Sequence, residues 1–205
     1  MSFISLNFVV LFACTFILYH TLPSRFRKAT LLTASCLFIG FYHLAFLITA
    51  LILTLTTFYL GKWIGQAKRE SGMKGIYFSG VCFLVVSWLA FRYADRLTNC
   101  HILFPLGISF YTFQAISYLT EIYWQEEEPE KSLPDFMIYM LFFMKFLSGP
   151  IERASDMLPQ LKSCKATDYT SMVYGMRLIV VGLIKKLILA DSIAPYIDGV
   201  FGSVY

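Results

Sequence analysis

The sequence predicts an all-α fold, a polytopic transmembrane helical bundle with short or re-entrant helices, and three observations predict it. Hydrophobic residues fill 58% of the 205 positions and charged residues only 15%, where soluble domains carry about 25% charged. The mean hydropathy is +0.65. The apolar residues are gathered into uncharged runs separated by short charged loops, each run near the roughly 20 residues that a helix needs to cross a bilayer. At about 20 residues per crossing the chain has room for about six crossings and little else, so 1–205 reads as a single membrane domain with the lipid bilayer as its first partner. Seventeen basic against thirteen acidic residues leave a net charge of +4, too small a surplus to argue for nucleic acid.

The first apolar run, 3–19, passes directly into Pro23, Arg25, Arg27 and Lys28, which belong among lipid headgroups. No hydrophilic tail precedes it and no small-residue cleavage site follows it, so it reads as a retained helix and not a removed signal. The stretch 29–60 has no charged side chain. It is too long for one crossing and short for two full ones. A helical hairpin of 29–42 and 44–60, turning at His43 and its aromatic neighbours, resolves this. The Arg25–Lys28 cluster and the Lys62–Lys74 loop hold seven of the seventeen bases. Only the hairpin puts both on one side, the cytoplasm, with the amino terminus outside.

The next run, 75–91, is bounded by Arg92, Asp95 and Arg96. The run 104–124 ends in aromatic residues followed by Glu126, Glu127, Glu128 and Glu130, read as a solvated acidic loop. The run 135–147 is short and closes at Gly149-Pro150, the pattern of a half-span or embedded helix. A polar, partly amphipathic stretch then leads to a last apolar helix, 172–190.

Within 104–124, Gly107, Tyr111, Gln114, Tyr118 and Glu121 recur at offsets of four, three, four and three, which places them on one helical face. Lipid offers no partner to an amide or carboxylate, so the face should meet other helices or line a wet cavity. Both readings stay open, as does the plainer one in which Tyr118 and Glu121 reach the headgroups. Lys145 sits in the apolar run MLFFMKFLSGP. An intramembrane charge is by default a functional residue, but the nearby break favours snorkelling to the interface. Arg153, just past that break, is the first choice to hold an anionic group.

His20, His43 and His101 lack the paired spacing of a metal site, and interfacial hydrogen bonding accounts for each. Cys14, Cys36, Cys82, Cys100 and Cys164 are scattered and read as small apolar side chains. No nucleophile motif and no glycine-rich phosphate loop is present. Residue chemistry alone completes no active site, and neither a metal nor a bound cofactor is expected.

Two stretches together resemble the membrane-bound O-acyltransferase family, in its bacterial branch that O-acetylates alginate and other polysaccharides. One is FPLGISFYTFQAISYLTEIYW, 104–124, with Pro105 and Gly107. The other is FFMKFLSGPIERASDMLPQL, 142–161, with Gly149 and Pro150. Weaker similarities lie at Pro23 with its basic followers, at Phe91-Arg92-Tyr93-Ala94-Asp95 and at Lys185-Lys186. Where the family pattern has a proline before the lysine or glutamine of the second stretch, this chain has Met144, a change expected to straighten that short helix.

The resemblance implies a membrane enzyme of the bacterial inner membrane that moves an acyl group, in the first instance acetyl, onto polysaccharide hydroxyls. The donor would be an acyl thioester or a related co-substrate, with membrane or periplasmic acyl-transfer proteins and the polysaccharide acceptor as partners. D-alanyl transfer to teichoic acid is the enzymatic alternative, and a non-catalytic scaffold subunit the other. In the family a histidine in a membrane helix serves as general base on the acceptor hydroxyl, a role that contributes roughly 10² to 10⁴ in rate. None of the three histidines here sits in that motif, so the chain resembles an amino-terminal portion that is inactive by itself. Gln114, Ser117, Tyr118, Glu121, Lys145 and Arg153 are then the candidates for the wall of the substrate path.

Overall fold

The structure, a computed structural model, describes residues 6–67, 69–98, 107–146, 149–163 and 168–202. Expectations for Pro105, His101, Ser148, Cys100 and Cys164 fall outside the described residues. Every described element is helical, and no strand occurs among the described residues. Contacts gather the chain into two compact units, Met1–Cys164 and Lys165–Tyr205.

The described residues of the first unit form eight helices: α1 (Leu6–Thr21), α2 (Ser24–Tyr42), α3 (Leu44–Gln66), α4 (Glu70–Thr98), α5 (Ile108–Tyr123), α6 (Leu133–Leu141), α7 (Phe143–Phe146) and α8 (Ala154–Ser163). Helices α3, α4 and α5 pack on one another, α6 lies against α2 and α3, and α8 lies against α6. Phe38, Leu53, Tyr118, Phe136 and Phe143 form the centre of the core. Apolar side chains also cover the outside, among them Val9, Ile48, Ile52, Phe78 and Val86. That exterior suits hydrocarbon, because soluble monomers rarely expose broad apolar surface. Among the described residues two helices, Leu44–Gln66 and Glu70–Tyr93, are long and apolar enough to cross a bilayer.

Local chemistry explains the helix ends. Pro23 takes φ −55° and ψ 149° ahead of α2 and accepts the Phe26 N–H at 2.9 Å. The chain breaks at His43, whose backbone is extended at φ −168° and whose Nδ1 accepts the Ala45 N–H at 3.3 Å. The imidazole thus caps α3 and satisfies a donor that the helix cannot. Inside the helices, hydroxyls such as Thr15, Thr54 and Thr57 donate to the carbonyl four residues back, each at 2.7 Å. This is how a hydroxyl is satisfied where no water is at hand.

The half-span occupies two pieces. Helix α6 has nine residues, about 14 Å at 1.5 Å per residue, and a break at Phe142 (φ −53°, ψ 116°) separates it from the four-residue α7. Met144 does not straighten this region, contrary to expectation, because the break lies two residues earlier and has its own support. Ser35 Oγ accepts the Phe143 N–H at 3.2 Å while donating to the Leu31 carbonyl at 2.8 Å. A hydroxyl on α2 therefore replaces the partner that the interrupted helix lost.

The acidic loop is only partly solvated. Glu126, Glu127 and Glu128 are exposed, but Glu130 is 3% exposed, which corrects its reading as a solvated charge. Its Oε1 accepts the Lys131 and Ser132 N–H groups at 2.9 Å each, and its Oε2 pairs with Lys162 on α8 at 2.7 Å. The Glu130 N–H donates to Tyr118 Oη at 3.0 Å. One buried glutamate, through its backbone N–H and its carboxylate, thus ties together α5, the start of α6 and the amphipathic α8.

The second unit is helical from Tyr169 onward among its described residues: α9 (Tyr169–Ile184), a π-helical stretch Lys185–Ala190, and α10 (Asp191–Gly202) with Pro195 inside it. At the junction Lys186 pairs with Asp191 at 2.6 Å, and the Asp191 N–H reaches back to the Lys186 carbonyl.

Candidate functional site

The stripe expected on 104–124 lies on α5 and turns inward, with Tyr111, Gln114, Tyr118 and Glu121 all buried. Its members meet different partners. Tyr111 stacks on Phe146 at 5.4 Å between ring centres. Gln114 donates through Nε2 to the Tyr139 carbonyl at 2.9 Å, and so pins α5 to α6 by a backbone acceptor. Tyr118 accepts from Glu130 and packs on Phe136 at 4.6 Å. These three contacts are helix packing.

Gly107 opens α5 in a left-handed conformation, φ +73°. A side chain there would meet the Phe146 carbonyl, so glycine satisfies both the backbone angle and the close approach. Gly149 serves the opposite end of the same region. Its N–H donates to the Lys145 carbonyl at 2.9 Å, and any side chain would run into the Lys145 backbone. Pro150, exposed, follows directly. The two motifs of the sequence therefore meet in space, with Gly107 beside Phe146 and Gly149 beside Lys145.

Glu121 is the charged member of the stripe, and like the Tyr111 hydroxyl it keeps a buried oxygen without a hydrogen-bond partner among the described residues. Its residue is 6% exposed, and Ser117 Oγ donates to Oε1 at 3.3 Å. Its Oε2 makes no close hydrogen bond among the described residues, although the Ser155 N–H in the first turn of α8 also faces the carboxylate. The exposed Arg153, just ahead of α8, lies close enough to interact with this carboxylate electrostatically. A buried acceptor left open in this way calls for an explanation, and a hydroxylated ligand is a fitting partner.

Lys145 does not snorkel. It is 7% exposed, its Nζ lies 3.4 Å from Glu152 Oε2 and 3.1 Å from Met157 Sδ, and it sits 4.4 Å above the Tyr139 ring. Tyr139 Oη donates to the Glu152 carbonyl at 3.0 Å. The ammonium is held inside by a carboxylate and a ring face, and a buried charge persists where it is paired. Glu152 and Tyr139 were not legible as partners, since Tyr139 stands six residues away and Glu152 lies beyond the break at Gly149-Pro150. A second ion pair joins α2 to α6, where Lys28 Nζ lies 2.8 and 2.9 Å from the two carboxylate oxygens of Asp135.

Beside these pairs lies a cavity of about 430 Å³ lined by Tyr19, Lys28, Phe142, Glu152, Asp156 and Gln160. A second cavity of about 270 Å³ shares Tyr19, Leu31 and Phe142 with it and is walled otherwise by Phe12, Phe16 and Met144. His20 belongs to the second and rests on the Phe16 ring at 4.5 Å. Among the described residues no group of three or more His, Cys, Asp or Glu side chains is placed to hold a metal ion.

No family model matches the chain, and no solved structure matches it. Curated sequences do. The chain is 31% identical to a probable alginate O-acetylase of Azotobacter vinelandii over 98% of its own length and 44% of that protein's. It is 30% identical to a probable alginate O-acetylase of Pseudomonas aeruginosa, over 98% of the chain and 42% of the relative. It is 26% identical to a peptidoglycan O-acetyltransferase of Helicobacter pylori, over 84% of the chain and 40% of the relative. The chain thus spans about two fifths of the length of these curated relatives.

Proposed function

The chain belongs to the membrane-bound O-acyltransferase family, in its bacterial polysaccharide O-acetylase branch, and from that premise we propose that it forms part of an enzyme of the inner membrane that transfers acetyl groups to hydroxyls of a cell-envelope polysaccharide such as alginate. The observation that carries this is the match along 98% of the chain to proteins named for alginate O-acetylation. Relatives named for acetyl transfer, to alginate and to peptidoglycan, favour acetyl over D-alanyl as the group moved.

In this reading the acyl donor, a thioester or related species, is a co-substrate, and membrane or periplasmic carrier proteins deliver or receive the acetyl group. The proton must leave a sugar hydroxyl as the ester bond forms, which calls for a general base. His20, His43 and His101 are not assigned that role. What the described residues supply is a supported wall. Gln114 and Tyr118 lock α5 in place, while Glu121, with Ser117 and Arg153, offers an open acceptor beside a cation to a hydroxylated chain. The Lys145–Glu152 pair and the Tyr139 hydrogen bond to the Glu152 carbonyl hold the turn before α8 against α7 and α6, and so keep Arg153 in position.

The test is genetic and chemical together. The chain is expressed in a bacterium lacking its alginate O-acetylase, alone and alongside a second polypeptide carrying the remaining length of the Azotobacter relative, and O-acetyl groups per uronate are counted. Acetylation appears only with both polypeptides, and Glu121→Gln lowers it by about tenfold, the loss of one hydrogen bond to a charged group. Acetylation by the chain alone that survives replacement of all three histidines would overturn the reading. So would silence of the pair when both are present in the membrane, which leaves a scaffold role.

A further inference from the structure

The geometry points to a binding site for one glycerophospholipid with an ammonium-bearing headgroup, seated in the two adjacent cavities that share Tyr19, Leu31 and Phe142, between the α1–α2 turn, α7 and α8. The inference stands apart from acyl transfer, since it concerns a lipid held and not one consumed.

Three features of the cavities carry it. Their polarity is divided, with charged and amide groups in the larger and almost only apolar groups in the smaller. Their axis follows α1. Tyr19 lines both, while Phe16 and Phe12 lie three and seven residues further from the charged turn, so the apolar cavity runs roughly 10 Å deeper at 1.5 Å per residue. A headgroup at Lys28 therefore sends an acyl chain toward the hydrocarbon, the direction a lipid takes.

The charges select the headgroup. Lys28 is bound to Asp135 yet keeps its side chain 34% exposed, and an ammonium has three donors, so one remains for a phosphate oxygen. Across the cavity, Asp156 is exposed, and Gln160 donates its Nε2 to the Asp156 carbonyl at 2.9 Å, which leaves its Oε1 as an acceptor. Glu152 adds a second carboxylate already shared with Lys145. With Asp135, Lys145 and Arg27 included, the last lying 5.3 Å from the centre of the Tyr19 ring, three carboxylates face three cations. A purely anionic lipid leaves the carboxylates on its side of so balanced a site unmatched, whereas a phosphate with a tethered ammonium satisfies both sides.

Delipidated full chain in detergent is offered an equimolar mixture of phosphatidylethanolamine and phosphatidylglycerol, and retained lipid is read by native mass spectrometry. One phosphatidylethanolamine is retained in preference to phosphatidylglycerol. Asp156→Lys lowers the ratio of the two at least tenfold, and Asp156→Asn lowers it by less. Phe16→Trp, which narrows the apolar cavity, reduces retention of both lipids without changing their ratio. A helical circular dichroism spectrum checks that each variant is folded. Equal retention of the two lipids by the native chain, an unselective coat of several lipids, or an unchanged ratio in both folded Asp156 variants would overturn the site.

Discussion

Glu130 shows how much one side chain decides. It sits in a run of four glutamates that sequence reasoning assigns to water, yet its carboxylate accepts two backbone N–H groups and a lysine. The distinction from Glu126, Glu127 and Glu128 was invisible because it arises from Tyr118 and Lys162, twelve and thirty-two positions away in the chain. Glu130→Ala leaves two N–H donors with no partner. Loss of buried acceptors costs about 1–3 kcal/mol, so the variant melts at lower temperature in detergent, followed by circular dichroism. The same pair gives an alkaline limit. The hydrogen bond to Glu130 raises the Lys162 ammonium above its ordinary range, so its stabilisation is complete below the unfolded value near 10.4 and is lost as pH climbs through the folded one. The native melting temperature therefore falls more steeply between pH 10 and 12 than that of the alanine variant. By contrast the inward stripe of α5 was legible, because Gln114, Tyr118 and Glu121 repeat at the spacing of a helix whatever surrounds them.

Among the elements, the broken half-span is the least legible from sequence. Its shortness follows from Gly149-Pro150, but nothing within 135–147 marks Phe142 as the break, and the substitution at Met144 suggested a straighter helix. The determinant is Ser35, more than a hundred residues earlier and on another helix. Ser35→Ala removes the acceptor of a buried N–H, so it destabilises the chain by about 1–3 kcal/mol. Its partner experiment is Met144→Pro. Position 144 lies in the first turn of α7, where a proline is tolerated, so this variant changes stability by less than about 1 kcal/mol. Thermal melts of the two variants check the pair. A larger loss at Met144 than at Ser35 would place the break under different control.

At the scale of the whole molecule, composition settled the class and left the partners of each charge unsaid. An apolar exterior with ion pairs turned inward is arranged for lipid, and the chain accordingly stays with the membrane pellet after an alkaline carbonate wash. Release into the supernatant would contradict the bilayer reading. The sequence also runs 172–190 as a single helix, whereas the structure inserts a π-helical stretch from Lys185 to Ala190 before Asp191. One residue added to a helical turn swings everything beyond it by about 100° around the axis. A seam of side chains drawn down α9 therefore does not continue along α10. The two halves of this rod address different sides of their surroundings, so a cysteine-labelling pattern read in register on one half is shifted by a quarter-turn or so on the other.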